Sequence, residues 1–220
     1  MKNCFPSKDQ FLELSKTYNY IPVYTELDSN GETPVSIYRK IVKNPYSFLL
    51  ESVEGDENVA RYSFIGVNPQ EVIKTGSKEK NGEVDPLELL ENAMENIKFA
   101  PLKELPKFHG GSVGFLSYET VTYIEPSVKK SAQSLTYTPE SVFMIGSSLV
   151  IFDHVKQSII IVVHADLRNS KDFENTYRKT LESISEIITD LQKEVFSEKL
   201  HDNSDLEEFS VVNITEKERY

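Results

Sequence analysis

The stretch from 141 to 166, SVFMIGSSLVIFDHVKQSIIIVVHAD, is the part of the sequence that most constrains the fold. It is dominated by β-branched and other apolar residues, and only short polar groups interrupt it, which predicts two or three antiparallel strands. A further strand, with room for a bend into a second one, is predicted for 110–125. Shorter runs of the same character lie at 20–27, 47–53, 60–67 and 70–76.

Helices are predicted at the edges of this strand block, because capping residues precede amphipathic patterns there. Ser7, Thr33 and Asp85 are the predicted N-caps, and a long amphipathic helix is predicted for 171–196. The helix after Asp85 is expected to turn four apolar residues inward: Leu87, Leu90, Met94 and Ile97. Strands in the middle and helices at the edges favour an α+β fold with a largely antiparallel β-sheet core and flanking helices.

The sequence divides into two parts. Residues 1–196 are expected to form one domain, and residues 197–220 are polar and acidic at first, as in a surface linker. Thr215 and Glu218 fit a capping box, which typically opens a helix. A helix of one turn is not stable alone. Residues 197–220 are therefore expected to be a linker and the start of a helix, and two explanations stay open: the tail is frayed, or the chain is the first part of something longer.

Composition excludes several classes of function. The formal net charge of −11 argues against a broad nucleic-acid surface and against binding to an anionic membrane. No apolar run approaches the ~20 residues that a membrane-spanning helix needs. The single cysteine, Cys4, excludes an internal disulfide, and the start of the chain lacks the apolar core of a signal peptide, so a cytoplasmic location is expected. The four histidines are scattered and form no metal-binding motif.

Two patterns that could bind a phosphate or carry out catalysis have simpler explanations. Gly110 and Gly111 begin a glycine-rich segment, but it lacks the lysine of a P-loop and the third glycine of a dinucleotide fingerprint. A tight turn or a close approach of backbones explains them better. Ser52 can be drawn into a catalytic triad with Glu51 and a distant histidine, but nothing in the spacing supports one.

The segment YSFLLESVEG combines a short apolar strand with a carboxylate and a hydroxyl. If 47–53 pairs with 60–67, six residues come together: Leu50, Glu51, Ser52, Arg61, Tyr62 and Ser63. Such a group suits a small zwitterion, because a carboxylate accepts from an ammonium, hydroxyls hold a carboxylate and apolar flanks hold a ring. The alternative is an ion pair between Glu51 and Arg61 at the sheet rim, which contributes little. The spacing leaves both open.

Several segments resemble one known family, in the family's order. FLLESVEGDENVARYSFIG is similar to the LLES…RYSFIG segment of the first component of anthranilate synthase, and HGGSVGFLSYETVTYIEP resembles its glycine-pair segment. The F-D-H tripeptide within 141–166 also recurs in that family. The end of the chain, FSVVNITEKERY, is similar to the start of the next family segment. The chain departs from the pattern at Ser117 and Thr122, where the family often has Gly and Arg.

The resemblance implies a role for the LLES segment. In the family this segment forms part of an allosteric site for L-tryptophan, so Glu51 and Ser52 would contact the amino-acid end, with Leu50 and Tyr62 beside them. Arg61 and Ser63 would be further members. The chorismate-binding domain, with its Mg²⁺ site, would follow in the family's chain, so no cofactor is expected in this one. The implied partners are that domain and the glutamine amidotransferase, component II.

Two alternatives remain open at this point. One is the corresponding domain of aminodeoxychorismate synthase component I, in the folate pathway, where the equivalent pocket can hold tryptophan as a structural element. The other is a non-catalytic module that docks a glutamine amidotransferase. The LLESVEG…ARYSFIG form favours anthranilate synthase over the first.

The 220-residue chain alone is expected not to make anthranilate, because the family's catalytic motifs do not occur in it. We expect no anthranilate fluorescence when the purified chain is incubated with chorismate, ammonia and Mg²⁺. A preparation carried through the same purification from cells without the gene is the control. Anthranilate formation that exceeds this control and rises in proportion to the amount of the chain would contradict the expectation.

Overall fold

The computed structural model describes residues 3–51, 61–125, 127–129 and 138–193. In these ranges it contains two antiparallel sheets with flanking helices, so the predicted α+β class is confirmed. In chain order the elements are α1 (Lys8–Leu14), β1 (Tyr20–Asp28), α2 (Pro34–Ile41), β2 (Phe48–Leu50), β3 (Tyr62–Val67), β4 (Glu71–Thr75), α3 (Pro86–Met94), β5 (Ser112–Leu116), a 3₁₀ turn (Tyr118–Thr120), α4 (Val121–Ile124), β6 (Ser141–Ile145), β7 (Ser148–Asp153), β8 (Ser158–Asp166) and α5 (Phe173–Leu191).

The segment 141–166 forms three strands, and they are divided between the two sheets. The larger sheet has the order β1-β8-β7-β3-β2, and the smaller one has the order β4-β6-β5. The chain changes sheets between β6 and β7 at Gly146, which has a φ of +66°. A Cβ at Gly146 would lie 2.3 Å from the Tyr20 hydroxyl oxygen, so both the backbone conformation and the space require glycine.

The larger sheet is covered on both faces. One face carries Val150 and Ile161 and packs against α1, α2 and α5. The other face carries Ile151 and Val162 and packs against side chains from the 102–108 connection. Because neither face of β7 or β8 meets water, these strands have continuous apolar sequences rather than alternating ones.

The predicted helix starts are confirmed in detail. The side chains of Ser7 and Thr33 accept from backbone N–H groups in the first turns of α1 and α2, each within a capping box. Asp85 caps α3 ahead of a proline. The long helix α5 begins after Asp172, whose side chain accepts from the Asn175 N–H. Among the described residues, no helix is both long and apolar enough to cross a membrane.

The strand prediction for 110–125 is correct only for its first part. After β5 the chain forms the 3₁₀ turn and α4 instead of a second strand. The Thr120 hydroxyl donates to the Ser117 carbonyl (2.6 Å), and the Thr122 hydroxyl donates to the Glu119 carbonyl (2.9 Å). Such local side-chain hydrogen bonds stabilise turns in competition with a strand.

The inward face of α3 also differs from the prediction. Leu90 packs against Ile73 and Phe143 of the smaller sheet as predicted. Leu87 is instead 42% exposed, and Leu89 packs inward in its place. The apolar residues of this short helix allow more than one of its faces to turn toward the sheet. Contacts with the sheet decide between them.

Replacing Ile161 with alanine should reduce the free energy of unfolding by about 2–5 kcal/mol, because the side chain is fully buried and leaves a cavity. Urea denaturation followed by circular dichroism measures the change. Val155→Ala is the matched control: Val155 is 57% exposed in the turn after β7, and its replacement should change the value by less than about 0.5 kcal/mol. Equal losses in the two variants would show that the larger sheet is not the core.

Candidate functional site

An open cleft of about 570 Å³ lies at the edge of the larger sheet, beside β2. Strand β2 is the outermost strand of that sheet, so its outer side has no neighbouring strand among the described elements. The cleft is lined by Leu49, Leu50, Glu51, Tyr62, Phe64, Phe108 and Val113. It therefore combines three segments of the chain: the end of β2, the start of β3 and the connection that enters β5.

The pairing of β2 with β3 was predicted and is confirmed. Leu50 lies opposite Phe64 in an antiparallel register. Because side chains alternate along a strand, Tyr62 and Phe64 point to the same face of the sheet, and Leu50 lies beside them. This face lines the cleft with apolar side chains.

Aromatic rings form one wall of the cleft. Phe64 and Phe108 meet edge to face, with ring centroids 5.1 Å apart, and Tyr62 lies 6.1 Å from Phe64. These half-buried rings are the outer part of the apolar cluster on this face of the sheet. Rings in edge-to-face contact have fixed positions and leave flat surfaces, which suit a planar apolar group.

Glu51 supplies the charge at the cleft. It directly follows β2, is exposed and lines the cleft beside Leu50. A carboxylate in this position can accept hydrogen bonds from a ligand ammonium group. Ser52, the other predicted contact of this segment, lies outside the described residues.

Arg61 does not line the cleft. Its guanidinium donates to both carboxylate oxygens of Asp153 at the end of β7, with N···O distances of 2.7–3.2 Å. It also lies 4.9 Å from the centre of the Tyr62 ring. Among the described residues, Arg61 pairs with Asp153 and not with Glu51, so the predicted alternative of a Glu51–Arg61 ion pair is wrong. The geometry gives Arg61 a role in holding Tyr62.

Ser63 also lies behind the cleft rather than in it. Its side chain alternates with those of Tyr62 and Phe64, so it points to the opposite face of the sheet. It is 1% exposed, and its hydroxyl oxygen lies 2.8 Å from Nε2 of His154. The backbone N–H of His154 in turn donates to the Arg61 carbonyl. Asp153 and His154, two residues of the F-D-H tripeptide, thus fasten the start of β3.

Hydrogen bonds determine the ionisation of Asp153. Burial raises its pKa, but the Arg61 guanidinium and the N–H groups of Lys156 and Val155 outweigh burial and lower the pKa below the ordinary value of 3.8. The carboxylate is 1% exposed and is charged at neutral pH. It is therefore a fixed anion that orients Arg61.

Gly110 and His164 explain the glycine pair that the sequence analysis singled out. A Cβ at Gly110 would lie 2.6 Å from Nε2 of His164, so a side chain, and not another backbone, makes the close approach there. Gly111 has a φ of +121°, a conformation that favours glycine and fits the predicted tight turn. His164 is 3% exposed and stacks on Tyr20, with ring centroids 5.0 Å apart. Burial and the nearby His109 lower its pKa to about 3. It is a neutral core side chain.

Two other features bear on ligand binding. A second cavity of about 240 Å³ lies between α5 and the larger sheet, but its buried Asp190 is already paired with Lys43 and Lys193. Within the described ranges, no three histidine, cysteine, aspartate or glutamate side chains are placed to hold a metal ion. The cleft beside β2 is therefore a better candidate site than this second cavity.

Some of the residues that line the cleft are predictable from the sequence, and others are not. Leu50, Glu51 and Tyr62 were predicted and line the cleft. Phe108 and Val113 were not predicted, because they come from a segment more than 40 residues further along the chain. Their apolar character was visible in the sequence, but no local pattern indicated their contact with β3.

Replacing Asp153 with asparagine should lower the free energy of unfolding by about 1–3 kcal/mol at pH 7, since a partly exposed Arg61 loses a charged partner. The pKa of Asp153 is lowered on folding, so this stability is present above pH 3.8 and is lost as pH falls through the lower folded value. The variant and the unmodified chain should therefore converge at acidic pH. Urea denaturation at pH 7 and pH 3 tests this, with Asp28→Asn, a change at an exposed aspartate, as the control. A difference in the free energy of unfolding that is the same at both pH values would contradict the prediction.

Comparison with known proteins identifies relatives of the chain. It is 36% identical over 199 residues to anthranilate synthase component 1 of Synechocystis sp., a match that covers 85% of this chain and 39% of that protein. It is 36% identical over 195 residues to anthranilate synthase component 1 of Acetivibrio thermocellus, covering 83% of this chain and 38% of that protein. No family model matches the chain.

A solved structure is also similar. Anthranilate synthase component I from Streptococcus pneumoniae is 25% identical, with a TM-score of 0.46, over 74% of this chain and 36% of that one. The chain spans about two fifths of the length of the curated relatives it matches. By sequence, it belongs to the anthranilate synthase component 1 family.

Proposed function

We propose that this chain is the regulatory part of an anthranilate synthase component 1 and that its cleft beside β2 binds L-tryptophan. One observation carries the proposal: β2, β3 and the connection before β5 converge on a single cleft that combines an aromatic wall with a carboxylate. The LLES and RYSFIG segments, which first suggested the site, contribute Leu50, Glu51 and Tyr62 to it.

The chemistry of the cleft matches an aromatic zwitterion. Phe64 and Phe108 offer an apolar surface for the indole ring. Glu51 accepts from the ligand ammonium at the open end. Ser52 is proposed to hold the ligand carboxylate, on the strength of the sequence alone.

The cleft is open on one side, which suits a site completed by another part of a longer protein. Small-molecule pockets usually bury 70–90% of a ligand, more than a cleft at a sheet edge covers. The relatives are more than twice as long as this chain. A ligand held between two parts favours the arrangement in which both contact it, and a coupling of about 1–3 kcal/mol changes activity severalfold or more.

The activity of the whole protein follows from the same proposal. It would convert chorismate, with ammonia or glutamine-derived ammonia, into anthranilate and pyruvate, with chemistry and Mg²⁺ outside this chain. A glutamine amidotransferase would supply the ammonia. The relatives reported above are named as anthranilate synthases, which supports the synthesis of anthranilate over that of aminodeoxychorismate.

Binding can be followed through the ligand's own fluorescence, because the chain contains no tryptophan. Increasing amounts of the chain are added to a fixed amount of L-tryptophan, excited where tyrosine does not absorb. We expect a blue shift and higher anisotropy with a dissociation constant on the order of 1 mM, about −4 kcal/mol, since only part of the ligand is covered. D-Tryptophan is the control for recognition of the amino-acid end. An unchanged spectrum at millimolar chain would exclude binding by the chain alone.

Two variants locate the binding. Phe108→Ala should weaken L-tryptophan binding about tenfold, or about 1.4 kcal/mol, because it removes half of the edge-to-face pair. Glu51→Gln should weaken it by a similar factor, because a neutral amide attracts an ammonium less than a carboxylate does. Glu88→Gln, an exposed position on α3, is the control for a simple change of net charge. If Phe108→Ala and Glu51→Gln both bind like the unmodified chain, the cleft is not the site.

A further inference from the structure

Two asparagines in the sequence directly precede a glycine: Asn30 and Asn81. In such a pair the glycine has no side chain to shield its backbone nitrogen, so this nitrogen can attack the side-chain amide carbon of the asparagine. The amide is then lost as ammonia, a reaction that makes asparagine one of the thermolabile residues of proteins. Both asparagines are exposed. The two pairs have the same local chemistry, and the structure places them in different surroundings.

Asn30 and Gly31 are the two central residues of a tight turn between β1 and α2. Their φ angles are +51° and +82°, and the Glu32 N–H donates to the Ser29 carbonyl (2.9 Å), as in a type I′ turn. Apart from its chain neighbours, no heavy atom lies within 4 Å of the position that a Cβ on Gly31 would take. Among the described residues, neither the Asn30 side chain nor the Gly31 N–H has a hydrogen-bond partner. A single hydrogen bond therefore closes this turn, and it engages neither reacting group.

Asn81 and Gly82 are both held by hydrogen bonds. The Asn81 side-chain amide donates to the Lys74 carbonyl of β4 (2.8 Å), and the Gly82 N–H donates to the Glu79 carbonyl (2.9 Å). The Gly82 carbonyl also accepts from the Gly76 N–H (2.8 Å). Both reacting groups of this pair are therefore engaged. The Gly82 nitrogen can attack Asn81 only after these hydrogen bonds open.

We propose that Asn30 is a site of spontaneous deamidation in the folded protein and that Asn81 is protected from the reaction. The Gly31 backbone nitrogen loses its proton and attacks Cγ of Asn30. A new C–N bond closes a succinimide ring, the bond between Cγ and Nδ2 breaks, and Nδ2 leaves as ammonia with the released proton. Solvent water then opens the ring at either carbonyl and gives aspartate or isoaspartate. Water is the only co-reactant, and no group is oxidised or reduced.

The products change both the charge and the backbone of the turn. Aspartate and isoaspartate each add a negative charge at position 30, and isoaspartate also adds a methylene group to the main chain. Glu32 lies two residues further on, where its carboxylate accepts from the Ser36 hydroxyl (2.6 Å) and pairs with Lys40 of α2. The reaction therefore alters the segment that positions the start of α2.

The test is a time course on the folded 220-residue chain at mildly alkaline pH. The chain is digested after each interval, the two asparagine-containing peptides are quantified by mass spectrometry, and isoaspartate is identified with an isoaspartate methyltransferase. We expect Asn30 to react at least about tenfold faster than Asn81, because the second pair must first break several hydrogen bonds. Equal rates, or faster reaction of Asn81, would overturn the inference.

The unfolded chain is the control for local sequence. In guanidinium chloride the turn and the hydrogen bonds of Asn81 are lost, so the two asparagines should react at similar rates. If the preference for Asn30 persists there, neighbouring side chains cause it and the fold does not, which would overturn the inference. A folded chain in which Asn30 stays intact while the unfolded chain reacts would overturn it as well.

Two matched variants locate the change of charge. The folded chain should slowly form a more acidic species, which ion-exchange chromatography separates. Asn30→Gln should prevent its formation, because the longer glutamine side chain closes a less favourable ring, and Asn81→Gln should leave its formation unchanged. Loss of the acidic species in Asn81→Gln, or its persistence in Asn30→Gln, would contradict the assignment to Asn30. The outcome does not depend on tryptophan binding.

Discussion

The fold depends on the burial of β7 and β8 on both faces. These two strands have almost no exposed side chains, so the sheet they centre needs a cover on each side. Helix α5 supplies one cover, and the 102–108 connection supplies the other. Because that connection ends in Phe108, the same packing that closes the core brings an aromatic ring to the edge of β3. The candidate site is thus a direct consequence of how the sheet is covered.

The residues around the cleft divide into two groups. Leu50, Glu51 and Tyr62 line it, whereas Arg61 and Ser63 bond to Asp153 and His154 at the end of β7. The hydrogen bonds of Arg61 and Ser63 fix β3, the strand that carries Tyr62 into the cleft. The short motif RYSF therefore contains both residues that line the cleft and residues that hold the strand, and only the three-dimensional arrangement distinguishes the two.

Local signals made much of this structure predictable. The caps at Ser7, Thr33 and Asp85 and the apolar runs of β7 and β8 act within a few residues, so the sequence reveals them directly. The turn after β5 was not predicted, because threonine favours strands by propensity but here bonds to the preceding backbone. Phe108 was missed because its contact with Phe64 depends on tertiary packing. The prediction of the site was limited mainly by contacts between residues far apart in the sequence, which no local pattern reveals.

We propose that the cleft beside β2 recognises L-tryptophan. The most direct measurement is a titration of the ¹⁵N-labelled 220-residue chain with L-tryptophan, with backbone amides followed by NMR and L-phenylalanine as control. We expect saturable shifts centred on Leu50, Glu51, Tyr62 and Phe108, larger for tryptophan than for phenylalanine. A well-dispersed spectrum that does not change, or shifts centred on the cavity beneath α5, would contradict it.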